Sequence, residues 1–542
     1  MTVPLSLLSD ASSAGLRRML FTTTALAPLH AFPQKDIPAK RVFEEAKLST
    51  LVLTLAYGTA GEVLRIYAHA ANAFDPATPY TDLPISRLLA FDPTMLTVPI
   101  GNPDECELAV RILTGPYSVP LRDLSSVLVG EIDMTLDRDC VAPSGAGTLL
   151  VKGAHIQRYY LRNEPKQGEQ EYISVPSFQC KYASSPKAQW RDEPRTILQG
   201  VTGTDDYRRI KPCMAPAGLF LANSVNFLSA DKAWQPHALL ALMGSALTEW
   251  RFRLTSGNNN VNNYEIESLF AAKVRLNVDD RSSQYRVGDD VNAVFSDLTH
   301  SGDNWWDRAA HEVLDHIART LSQLEPANAR CLHEFQKLVM SHAASTPFED
   351  WSSAGKFKDL DYFGWDSRYP SWKPDETTLA DGRWYPNGVA PPLAGNGSGD
   401  IPWNLIARVY PSYPLPGIDA AAWEAAAWEE FCDLLRKNKA RIGNAKIRAD
   451  ITGRGAVVSP TGPLKKLQET FLKFHREVRE NRAKAAELDF LIDRIVFKLF
   501  DLTLDEQKLI LSRVGPGRPL PPRRGRRTKP ATNTDEGPGL FQ

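Results

Sequence analysis

Apolar residues recur along this chain at two spacings, and the switches between them mark its elements. Residues 1–60 alternate in type: Thr2 to Leu8 reads as a strand, Ser12 to Phe21 as a helix, Ala25 to Phe32 as a strand, and Leu48 to Ala56 as a buried β-branched strand. Strands alternating with helices predict an α/β unit. The pattern then predicts a helix over Gly61 to Phe74, a proline-punctuated connection, a helix over Asp104 to Leu113 and a strand over Ser126 to Thr135. On that strand Glu131 and Asp133 alternate outward, which predicts a solvated face.

Further on, Leu239, Leu242, Leu247 and Trp250 recur at three-to-four residue spacing and predict one amphipathic helix over Pro236 to Arg253. Helix returns over 301–344 on the stripe Trp305, Ala309, Val313, Ile317 and Leu321. Residues 345–416 break the pattern, with Trp351, Trp365, Trp372, Trp384 and Trp403 set among prolines and glycines. Those rings either stack on nucleobases or pin a long loop to the body. Two more helices follow, Ala420 to Ile442 and Pro463 to Phe500, the latter with the stripe Leu467, Phe471, Phe474 and Val478. Thr503 and Glu506 have the spacing of a capping box before a short helix. After Gly515 the chain is rich in Pro and Gly and lacks an apolar period, which predicts a disordered tail. Its Arg518, Arg523, Arg524, Arg526, Arg527 and Lys529 suit phosphate contact or plain solubility.

Chemistry concentrates between Leu149 and Val274. The loop Ser256 to Asn263 holds five asparagines in six positions, Asn258, Asn259, Asn260, Asn262 and Asn263. An Asn amide pairs bidentately with an adenine edge, and Asn is also a common turn former, so the loop reads either as a base-reading element or as a solvated turn.

The chain has 542 residues and a net charge of -1, so no global basic field advertises a polyanion partner, although a local basic stripe can sit inside a neutral total. A hydrophobic share of 43% and a charged share of 23% suit a globular protein of several domains. The six cysteines are far apart and form no CxxC pair, which argues against a disulfide framework or zinc knuckle and for a reducing, cytoplasmic setting. Neither a signal peptide nor a membrane-spanning run is visible, so no membrane partner is expected.

Order along the chain adds more than any single motif. A Gly153-x-His155 turn with Lys152, Arg158 and Tyr159 comes first, then Arg191 and Arg195, then an apolar run holding Asn223 and Asn226. The helix with Arg251 and Arg253, the Asn loop and Tyr264 complete the series. This order resembles the target-recognition region of large bacterial adenine-specific DNA methyltransferases, of the type IIG restriction-modification and BREX kind. The segment LRRMLFTTTALAPLHAFPQKDIPAKRVFEEAKLSTLVLTLA resembles the last third of their catalytic domain, GEIDMT at Gly130 to Thr135 the lead into recognition, and LDFLIDRIVFKLFDLTLDEQ the close of it. The resemblance implies an α/β and α+β multidomain protein: a partial Rossmann-like methyltransferase remnant, a mixed α/β target-recognition domain and a helical C-terminal region. Residues 1–60 would end the catalytic domain, so that the chain starts in mid-domain, and 61–148 would connect it onward. Recognition would occupy 149–300, followed by the helical segment 301–344, the Trp/Pro-rich insert 345–416, the helical region 417–514 and the basic tail 515–542. Apart from Gly153, the sixteen residues named in that order, with the asparagines of the loop counted singly, are candidate DNA contacts. The arginines would meet phosphates and the asparagines base edges.

The family moves a methyl group from S-adenosylmethionine to the adenine amine, with a Gly-rich turn for the cofactor and an Asn/Asp-Pro-Pro-Tyr/Phe loop for the flipped base. Neither motif is in this sequence. Ser144-Gly145-Ala146-Gly147 precedes a strand instead of following one, and Asp75-Pro76-Ala77-Thr78-Pro79-Tyr80 lacks the paired prolines, so both read as turns. Asp36, Glu45 and Lys47 have the spacing of a nuclease triad but lie in the scaffold-like stretch. His311 and His316 stand about 140° apart on a helix, too far round to share a metal as an i, i+4 pair does. The expected function is DNA target recognition for a site-specific adenine methyltransferase in restriction-modification or phage defence. S-adenosylmethionine would sit on a separate catalytic subunit, and double-stranded DNA would be the other partner. A non-catalytic DNA-binding protein keeping the recognition fold, or a nuclease with an unrecognised site, are the alternatives.

Overall fold

The computed structural model describes residues 1–33, 38–56, 61–116, 118–143, 146–203, 208–230, 234–257, 259–272, 305–343, 378–380, 383–385, 420–453 and 459–514, together with Gly58 and Asp206. Asn258, Asp36, most of the insert 345–416 and the tail from Gly515 lie outside the described residues. The fold is mixed α/β and multidomain, with several small sheets and helices. Its residues form two compact units. The first is Met1–Arg330 with Thr377–Tyr410 and Asn481–Arg518; the second is Cys331–Glu376 with Pro411–Glu480 and Pro519–Gln542.

In the first unit, β1 (Thr2–Pro4), β2 (Leu29–Phe32), β3 (Thr50–Val52), β4 (Val63–Ala68) and β5 (Tyr80–Pro84) form one sheet in the order β1-β3-β2-β4-β5. Only β2 and β4 run parallel among these pairs. Helix α1 (Ala14–Thr23) buries Leu20 and Phe21 in the core built on Leu29, Ala31, Leu51, Leu64 and Ile66. The helix expected over Gly61 to Phe74 is therefore a strand. Leu64 and Ile66 point inward while Val63 and Arg65 point out, a period of two that the apolar run VLRIYA conceals. This strand also carries the sheet across residue 60.

Helix α2 (Ile85–Phe91) leads to α3 (Pro103–Thr114), where the Asn102 side chain accepts from Glu105 N and Glu105 accepts from Asn102 N, a reciprocal cap. Next come β6 (Ser125–Val129), β7 (Thr148–Val151), α4 (Val175–Tyr182), β8 (Arg195–Gln199), β9 (Pro212–Ala215), β10 (Phe220–Leu221) and β11 (Val225–Ala230). An antiparallel sheet runs β9-β8-β11-β6. A second sheet runs Val141–Ala142, Tyr172–Ile173, β7, β10, its last pair parallel. The strand expected over Ser126 to Thr135 stops at Val129.

The single helix expected over Pro236 to Arg253 is two, α5 (Pro236–Gly244) and α6 (Ala246–Thr255). Ser245 is extended between them and caps α6 by accepting from Thr248 N. Both helices are buried almost all round instead of along one stripe. After α7 (Asn263–Glu267) comes α8 (Trp305–Met340), with Val313, Ile317 and Leu321 buried as its stripe predicts.

The second unit has its own core. Phe335 of α8 meets Trp428 and Phe431 of α9 (Ala420–Lys437), Ile447 of α10 (Ala445–Asp450) and Leu467, Phe471, Phe474 and Val478 of α11 (Gly462–Leu499). Thr503 and Glu506 make the expected capping box before α12 (Leu504–Val514), which belongs to the first unit. Among the described residues no helix is long and apolar enough to cross a membrane.

Candidate nucleic-acid interface

The chain passes from one four-stranded sheet to the other through the turn 222–224, and three backbone segments close round that turn. Gly130 N donates to Val225 O (2.8 Å), Asn223 N to Ile132 O (2.8 Å), Gly200 N to Ser224 O (2.9 Å) and Gly153 N to Ser224 Oγ (3.1 Å). A Cβ on Gly130 would stand 2.2 Å from Ala222 O, and one on Gly153 or Gly200 would stand 2.9 Å from Ser224 O. Glycine is required at these positions because backbone approaches backbone there.

The Asn loop joins the same cluster. Thr202 N donates to Asn259 O, Val261 N to Gly200 O, and Val201 bridges Asn260. Asn226, buried, donates to Val261 O, and Asn263 donates to Val127 O. Asn262 caps α7 through Glu265 and touches the Tyr264 hydroxyl. The loop's asparagines thus divide: Asn262 and Asn263 hold structure, while Asn260 is exposed beside Val201, which is 52% exposed, and Asn259 is half-buried. Asn223 is exposed on the neighbouring turn, with Ser224 half-buried beside it. Among the described residues, two amides, a hydroxyl and an apolar side chain reach solvent at this end of the two sheets, and the Asp133 carboxylate accepts a hydrogen bond from the Asn223 side chain.

The expected phosphate-contacting cations are placed otherwise. Arg195 is 5% exposed and pairs at 2.9 Å with Glu131, which is fully buried and also accepts from Leu221 N. This corrects the outward reading of Glu131: the carboxylate turns inward because a buried guanidinium needs a countercharge. Arg251 is 1% exposed, stacked 4.4 Å from the Phe91 ring and 5.4 Å from Phe270, and burial pushes its pKa down to about 10. No duplex can reach either side chain there. Arg158 pairs with buried Asp489 at 2.9 Å, Arg253 with buried Glu249 at 2.5 Å, and Lys152 with Glu171 at 2.5 Å. Half-buried Arg191 lies 4.7 Å from the Phe220 ring. His155 is fully buried, its Nδ1 accepting from Lys152 N, and burial holds its pKa below the ordinary value. Tyr159 is buried at a φ of 63°, with its hydroxyl in the space a Cβ on Gly244 would need.

Asp137, Asp139 and Cys140 lie close enough to share a cation, but the Lys181 ammonium already lies 3.0 Å from Asp137 and 2.8 Å from Asp139. The segment Asp75 to Thr78 is a turn, closed by Thr78 N on Asp75 O and Ala77 N on the Asp75 carboxylate. Sequence reasoning passed over Val201, and placed Ser224 in the recognition-like order without making it a candidate contact. Their signal was the adjoining glycines, whose meeting point only long-range pairing reveals.

No protein-family model matches this chain, and no curated protein matches it. Among solved structures it is similar to the type IIL restriction-modification enzyme MmeI in complex with DNA, at 10% identity over 59% of this chain and 45% of that chain, with a TM-score of 0.32. It is also similar to the type IIG restriction endonuclease BpuSI, at 10% identity over 59% of this chain and 47% of that one, with a TM-score of 0.25. The chain thus spans about half the length of each.

Proposed function

We propose that this chain is the DNA target-recognition portion of a site-specific adenine methyltransferase acting in restriction-modification or phage defence. On this reading S-adenosylmethionine and the Asn-Pro-Pro-Tyr loop belong to a separate catalytic subunit. The observation that supports it is the glycine-packed cluster that holds Asn223 and Asn260 outward on the ends of two sheets. Amides so held can pair with the donor and acceptor edge of adenine in the major groove, and a rigid scaffold is what such pairing needs.

The test is fluorescence anisotropy against a randomised duplex pool, across a salt series, with this chain alone and with its catalytic partner. Asn223→Ala and Asn260→Ala each remove about 1–3 kcal/mol of preference for the selected site while leaving non-specific, salt-dependent binding intact. Adenine methylation from S-adenosylmethionine is expected only when both polypeptides are present. Absence of duplex binding in both conditions would end the reading.

A further inference from the structure

A cavity of about 410 Å³ opens in the first unit between the β1–β5 sheet and the C-terminal end of α6. That volume falls in the roughly 300–1,000 Å³ span of small-molecule sites. Three guanidiniums face it, Arg209, Arg253 and Arg513, and among the described residues no carboxylate lines it. The acids that fix the arginines stand behind them: Arg513 Nη1 donates to Glu105 at 2.7 Å, and Arg253 pairs with Glu249. Glu105 is itself 4% exposed and accepts from Asn102 N and Trp250 Nε1, so its orientation is set from three sides. Arg513 adds a bond from Nη2 to Ile100 O at 3.1 Å. It spends one donor from each terminal nitrogen of a five-donor fork and remains 30% exposed.

The opposite wall is apolar, made by Leu5, Pro33, Pro79 and Ile100, and Ser9, Ser49, Thr255 and Ser256 bring hydroxyls between the two. The walls are tied to each other. Ser49 Oγ donates to Pro33 O (2.8 Å), Ile100 N to Leu254 O (2.6 Å) and Arg209 Nη1 to Ser256 Oγ (3.0 Å), so the space exists before any ligand enters. Oriented guanidiniums suit a phosphate oxygen fork, and an apolar wall suits a planar ring. From this arrangement we infer that the cavity binds a nucleotide, with its phosphate on Arg253 and Arg513 and its base against the Leu5–Pro33 wall. The inference does not depend on the base-reading cluster, which uses other residues. The same chemistry serves a free nucleotide and a nucleotide unit of a single strand.

Isothermal titration of the full chain with AMP, adenosine and inorganic phosphate tests the site. AMP is expected to bind at least tenfold more tightly than either fragment. Arg513→Ala and Gly257→Glu are each expected to weaken AMP binding at least tenfold. A Cβ on Gly257 meets nothing within 4 Å, so the glutamate places a repelling charge on the wall without displacing it. Competition by a short single-stranded oligonucleotide identifies a strand as the source, and its failure to compete identifies a free nucleotide; either upholds the site. No saturable AMP binding at millimolar concentration, or equal binding by wild type and both variants, overturns it. Duplex anisotropy on the same samples reports separately on target recognition.

Discussion

Gly130→Ala is the sharpest perturbation the structure offers, because its cost follows from distances alone. The added Cβ would lie 2.2 Å from Ala222 O and 2.6 Å from Leu221 O, both backbone atoms that cannot swing aside. Ordinary contact requires a separation of the two segments by about 1 Å or more. That separation strains three bonds together: Gly130 N to Val225 O, Ile132 N to Leu221 O and Asn223 N to Ile132 O, at 2.8, 3.0 and 2.8 Å. At about 0.5–1.5 kcal/mol each, the loss is about 3 kcal/mol. Urea unfolding followed by tryptophan fluorescence measures it. Gly15→Ala, at the start of α1 with nothing within 4 Å of its Cβ, is the control. It should leave stability unchanged or raise it by up to about 1 kcal/mol. A loss under about 1 kcal/mol for Gly130→Ala would refute the claim that close backbone approach holds the two sheets together at this turn.

Glu131→Ala should cost about 3–5 kcal/mol by stranding Arg195 in the interior, and the double change Glu131→Leu with Arg195→Met should recover much of it. Urea midpoints of the single and double variants decide this, and additive losses would count against a coupled pair. Burial raises the pKa of Asp493 to about 6 from an ordinary 3.8, so the folded chain holds that proton more tightly than the unfolded chain does. The resulting stability is present below pH 3.8 and is lost as pH rises through 6. Asp493→Asn, permanently neutral and still able to accept from Ala246 N, should therefore exceed wild type by up to about 3 kcal/mol above pH 6 and match it near pH 4. Thermal melts at both ends of that range test the sign; an equal shift at each would refute it.

What the sequence disclosed was whatever is decided within a few residues. The stripe Leu467, Phe471, Phe474 and Val478 is buried as its spacing requires, and the Thr503–Glu506 box forms because both partners lie on one turn. Readings failed where the deciding partner is distant. The break between α5 and α6 falls where the Tyr159 hydroxyl comes against Gly244, more than eighty positions along, and nothing in the apolar run PHALLALMGSALTEW announces it. Glu131 turns inward for Arg195, and β4 is a strand because β2 and β5 flank it. At the candidate interface the asparagines were visible as a cluster, but which of them face solvent depends on bonds to Gly200, Val127 and Glu265.

The placement of charge constrains how this region can meet a polyanion. Affinity for DNA backbone rises with the number of phosphates neutralised, and its salt dependence counts the counterions released. An arginine that is itself largely buried against a buried carboxylate, as Arg158 and Arg195 are, must abandon that partner before it can serve a phosphate. Leaving a buried acid unpaired costs several kcal/mol. These two pairs therefore act as fixed parts of the scaffold. On the proposed function, discrimination at the exposed cluster would then come from hydrogen bonding by Asn223 and Asn260 more than from attraction at a distance. If the proposed function holds, other cations must bring this region to the duplex, and its selectivity would reside in how rigidly three glycines hold one turn.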